Sequence, residues 1–112
     1  MDAHDFITIS TRRDITLDAK DSPQEILRGI LHQFVSMLRE SGCAMAGHIK
    51  GILEDGESPP LFFSVTSLDK EAQLKGGPLE AKPRLSLSMT VIVAGIGKDE
   101  AARLLDFTLD RY

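Results

Sequence analysis

The chain's hydropathy pattern predicts a single α+β domain spanning residues 1–112. The expected fold is a two-layer sandwich with element order β-α-β-β-β-α. It has a mostly antiparallel four-stranded sheet with two helices on one face. Three observations predict it. Arg84 to Val93 alternates strictly, with Leu85, Leu87, Met89, Val91 and Val93 on one face and Arg84, Ser86, Ser88 and Thr90 on the other. Two other stretches, after Ser22 and from about Asp99, carry apolar residues at helical spacing. Strands with one apolar and one polar face need helical cover on the apolar side only.

Taken in order, Phe6 to Leu17 is a first strand, with Ile7, Ile9, Ile15 and Leu17 inward and Thr8, Ser10, Arg12, Asp14 and Thr16 outward. Thr11 and Arg13 interrupt its apolar side, so a bend is expected near Arg12-Arg13. Ser22-Pro23-Gln24-Glu25 starts a helix: a hydroxyl cap, a proline at the first helical position and a glutamate placed for a capping box. Its apolar residues, from Ile26 and Leu27 through Phe34 to Leu38, cover about half the circumference, and Gly42 ends it.

Ala44 to Glu54 returns to period two. Met45, Ile49 and Leu53 are expected on one face, in register with Gly47 and Gly51, and His48, Lys50, Ile52 and Glu54 on the other. The turn Asp55-Gly56-Glu57-Ser58-Pro59-Pro60 sends Leu61 to Leu68 back antiparallel, with Phe62, Ser64 and Thr66 outward. Asp69 to Pro83 reads as an irregular connector or a frayed hairpin end. The last strand passes through Ala94-Gly95-Ile96-Gly97-Lys98 into the final helix, where Phe107 falls off the apolar stripe. Residues 1–5, including His4 and Asp5, are expected to be disordered.

The helix–three-strands–helix portion is similar in element order to double-stranded-RNA-binding domains, and GKDEAARLL is similar to the basic start of their last helix. The chain departs from that pattern in its longer first helix, its acidic EDGESPP loop, and Asp99-Glu100 directly after Lys98. The family is not assigned.

Composition narrows the function classes. A hydrophobic share of 42% supports a core, while 27% charged residues and the lack of an apolar run near 20 residues argue against a membrane-spanning chain. MDAHDFITIS lacks the pattern of a secretory signal, and a lone Cys43 permits no intrachain disulfide, so a cytoplasmic location is expected. A net charge of -4, no Trp and one Tyr weaken generic nucleic-acid binding.

The outward sheet face collects the candidate binding residues: Arg12, His48, Lys50, Ser64, Thr66, Arg84 and Ser86, with Lys98 at the glycine turn. Hydroxyls among cations suit an anionic ligand or an RNA backbone; they are equally ordinary on a solvated strand face. Ile52, Phe62 and Thr90 on the same face are candidate interface residues. Gly95-Ile96-Gly97-Lys98 is too short for a P-loop, and its helix begins with acids that compete for the free amides. His4, His32, His48 and Cys43 share no metal-ligand spacing, so neither a metal nor another cofactor is expected. No catalytic motif occurs. The leading expectation is protein association, a homodimer through the open sheet face. The alternatives are an RNA- or anion-binding module and, third, a small enzyme centred on His48.

Overall fold

A computed structural model describes residues 5–18 and 20–112. The expected disorder at residues 1–5 lies outside the described residues except for Asp5, which is exposed. The elements are β1 (Phe6–Thr16), α1 (Pro23–Glu40), β2 (Met45–Glu54), β3 (Leu61–Val65), β4 (Gln73–Gly76), β5 (Arg84–Ala94) and α2 (Lys98–Leu109).

The two-layer α+β arrangement is as the periodicities predict, but the sheet has five strands rather than four. Their order is β1-β5-β2-β3-β4, and every neighbouring pair is antiparallel. The added strand, β4, lies inside the stretch expected to be irregular. Its four residues carry too short an alternation to register as a strand, and β3 supplies the pairing. β3 ends at Val65, so Thr66 lies beyond the ladder.

Two local departures have clear causes. β1 is not interrupted at Arg12-Arg13: its register with β5 runs unbroken from Phe6 to Thr16. Arg13 stays on the inner side because its guanidinium reaches Asp106 on α2 at 2.7 Å and Asp110, just past the end of α2, at 2.6 Å. In β2 a bulge falls between Ala46 and His48. The extra residue turns Met45 onto the outer face opposite Ala94, where it is 50% exposed, instead of inward with Ile49.

The core lies between the sheet's inner face and the two helices. Leu85, Leu87, Met89, Val91 and Val93 from β5 pack with Leu27, Ile30, Leu31, Phe34 and Leu38 of α1 and Ala101, Leu105 and Leu109 of α2. Ser22 caps α1 by accepting the Glu25 amide at 3.4 Å. Gly51 lies on the inner face beside Met89 and Phe63, and a side chain is excluded there because a Cβ would run into the Ser88 carbonyl and sit 2.6 Å from the Phe63 ring. No helix among the described residues is long and apolar enough to cross a membrane.

At the end of β5 the chain segment after α1 closes onto the sheet, with the Ala44 amide donating to the Ala94 carbonyl at 3.0 Å. Gly95 makes room with φ +91, and a Cβ on it would lie 2.6 Å from the Ala44 nitrogen. Gly95→Ala therefore combines left-handed strain with a backbone overlap and is expected to cost about 2–4 kcal/mol. Urea unfolding monitored by circular dichroism measures it; a cost under about 0.5 kcal/mol would mean that the approach is not tight.

Candidate functional site: the open sheet face

Both helices occupy the inner side, so the alternate residues of every strand form a second, uncovered face. The register sets its rows. At one end Phe6, Ala94 and Met45 lie side by side, then Thr8, Ile92 and His48. The middle rows are Ser10, Thr90, Lys50, Ser64 and Gln73, then Arg12, Ser88, Ile52, Phe62 and Lys75. Asp14, Ser86 and Glu54 follow, and Thr16 with Arg84 closes the far end.

Most of the predicted site residues are brought onto this face. Ser10 and Thr90 hydroxyls meet at 3.3 Å, and the Arg12 Nε donates to Ser86 Oγ at 3.3 Å, leaning the guanidinium across the sheet. Lys50 lies between Thr90 and Ser64, and Ile52 between Ser88 and Phe62. Phe62 is 51% exposed, whereas Ile52 is half-buried. Two predicted residues are not part of the array: Thr66 lies past β3, and Lys98 opens α2 in the helical layer.

A trough of about 460 Å³ crosses β2, β3 and β4, with Lys50, Phe62, Ser64, Gln73 and Lys75 among its lining residues. Gln73 and Lys75 escaped the sequence pattern because β4 itself did; only their alternation with half-buried Leu74 hints at them. A second cavity, of about 520 Å³, lies on the other layer between α1 and the segment after β3. Its charges are mixed: Arg28, Arg39 and Lys70 with Glu25, Asp69 and Glu71. His48 lines neither cavity.

Among the described residues no group of three or more His, Cys, Asp or Glu side chains converges as metal ligands would. Cys43 is buried, its thiol donates to the Met45 and Ala94 carbonyls, and the burial raises its pKa. It is therefore not poised as a nucleophile.

The strongest electrostatic cluster holds the β2–β3 turn beside the face. The Asp55 carboxylate, only 3% exposed, accepts the Glu57 and Ser58 amides at 2.7 Å each and the Ser58 hydroxyl at 2.9 Å. Lys82 lies 3.0 Å from Asp55 and 2.7 Å from Glu57, tying the turn to the segment entering β5. The Glu57 amide first, then the Ser58 and Lys82 donors, hold the Asp55 pKa below the usual carboxylate range. The Glu57 carboxylate first, then Asp55, holds the Lys82 pKa above the usual lysine range. This cluster fixes a turn; its groups are already satisfied by one another.

Comparison with protein-family models, curated proteins and solved structures finds no match for this chain.

The direction of the Asp55 shift carries a pH consequence. A carboxylate whose folded pKa is lowered stabilises the fold above the ordinary carboxylate range and stops doing so as pH falls through the lowered value. Asp55→Ala should lower the urea midpoint at pH 7 and show a shallower decline than the parent chain below about pH 4. Parallel pH profiles for the two proteins would exclude Asp55 as a source of acid sensitivity.

Proposed function

We propose that this domain acts by association, pairing its open sheet face with the same face of a second copy. The observation that carries the reading is the exposure of Phe6 (50%), Met45 (50%) and Phe62 (51%) on one uncovered face. Phe6 and Met45 at one end of the array and Phe62 in a middle row, with the Ser10, Thr90 and Ser64 hydroxyls between them, have the layout of an interface with two hydrophobic anchors and hydrogen-bonding groups between. A C2 contact is self-complementary by construction and needs no second gene product. The lone buried Cys43 suits a reducing compartment, and we place the domain in the cytoplasm.

One observation favours a second reading, the binding of RNA or a small anionic ligand. Lys50 and Lys75 flank the trough, and Arg12 and Arg84 extend the positive side chains along the face. Glu54 and Asp14 on the same face oppose it. Of the two cavities, His48, on which a third reading would centre, lines neither.

Light scattering over a concentration series separates the two readings. The association reading expects a concentration-dependent dimer, with Phe62→Glu weakening it about tenfold or more and leaving the circular dichroism spectrum unchanged. A strict monomer at millimolar concentration would overturn it. The anion reading expects salt-sensitive retention on single-stranded RNA or polyphosphate, reduced about tenfold in Lys50→Glu and Arg84→Glu. Unchanged affinity in those variants rejects that reading.

A further inference from the structure

The two edges of the sheet are finished differently. β4 has four residues, including Lys75, and runs into Gly76-Gly77-Pro78, features that discourage strand addition. β1, on the opposite edge, is an exposed strand of 11 residues. Its hydrogen-bonding phase follows from its end. The Leu17 amide donates to the Pro83 carbonyl at 2.9 Å, continuing the β1–β5 ladder, whereas the Thr16 amide points the other way and donates to the Tyr112 carbonyl at 3.0 Å. In an antiparallel ladder both backbone groups of a residue face the same neighbour, and successive residues alternate. The odd residues, Ile7 to Ile15, therefore bond β5. The amides and carbonyls of Phe6, Thr8, Ser10, Arg12 and Asp14 face away from the sheet, and no backbone partner meets them among the described residues.

The usual guards of an edge are also turned aside. Arg12 leans over the sheet to Ser86, and Arg13 reaches under α2 to Asp106 and Asp110. Tyr112 closes the edge at Thr16, which leaves a pairing window from Phe6 to Asp14 centred on Ser10.

We propose that β1 pairs antiparallel with β1 of a second copy about a two-fold axis at Ser10, joining two sheets edge to edge. That register uses the outward groups of every free residue in the window: Ser10 faces Ser10, Thr8 faces Arg12, and Phe6 faces Asp14. It sets no like charges opposite one another, and it keeps Ile7 and Ile9 on the side of the cores. A shift of the axis to Arg12 would put two guanidinium groups opposite each other, and a shift towards Thr16 would meet Tyr112. This pairing is independent of contact through the sheet face, because it uses backbone groups that a face contact leaves free.

Amide exchange of the full chain, followed residue by residue by NMR, tests it. At low concentration the amides of Ile9, Thr11 and Arg13 should be protected and those of Thr8, Ser10 and Arg12 should exchange fast. At millimolar concentration the latter three should slow by about tenfold or more. Fast exchange at all concentrations would overturn the proposal. Ser10→Pro removes an outward amide without removing a β5 hydrogen bond, and Ser10→Lys sets two ammonium groups opposite one another on an intact backbone; each should abolish the slowing at Thr8 and Arg12. Phe62→Glu should leave it in place. Loss of the slowing in Phe62→Glu with retention in Ser10→Lys would assign the protection to the sheet face and reject the edge pairing.

Discussion

β5 has to satisfy four neighbours at once. Its odd residues direct their backbone groups to β1 and its even residues to β2, so both halves of the sheet hang on one strand. The side chains of the same odd residues, Leu85 to Val93, form the buried row beneath both helices. A strand bonded on both edges and buried on one face permits no slip, since a one-residue shift would drive that row into solvent and the Ser86, Ser88 and Thr90 hydroxyls into the core. Gly95 extends the constraint past the strand's end by letting Ala44 bond the Ala94 carbonyl, which fixes where the chain leaves α1 and enters β2. Strand, helix and connector are thus positioned from one place.

That is also why much of the fold is legible before any coordinates. A period of two in β5 and a period of 3.6 in α1 are local properties, and Ser22-Pro23 marks a helix start whatever surrounds it. Strand order is different in kind. β5 pairs with β1 and β2 rather than with β3, a choice made by contacts distant in sequence and written in no short segment. The bulge at Gly47 is equally silent: one unpaired residue moves Met45 across the sheet while the amino-acid pattern still reads as unbroken alternation. Arg13 looks like a fault in an apolar face until Asp106 and Asp110 arrive from 93 and 97 residues away.

The candidate site divides along the same line. The outward identities of Arg12, Lys50, Ser64, Arg84 and Ser86 follow from alternation within each strand. Their adjacency, such as Arg12 against Ser86 and Ser10 against Thr90, comes only from register. Gln73 and Lys75 join the face through a strand too short to announce itself, while Thr66 and Lys98 leave it because β3 stops early and α2 belongs to the other layer.

The face and the β1 edge draw on the same residues through different atoms. Thr8, Ser10 and Arg12 offer side chains to the face and backbone groups to the edge, in directions roughly perpendicular to one another. A copy stacked on the face consumes none of the edge hydrogen bonds, and a strand added at the edge covers none of Phe62 or Met45. Two two-fold contacts on one chain close into an assembly of four only where their axes are perpendicular and intersect, whereas either contact alone stops at two. Of the exposed apolar side chains on the face, Phe6 stands on the open edge strand, Met45 and Phe62 stand on the interior strands β2 and β3, and β4 ends at Gly76 just before Gly77-Pro78.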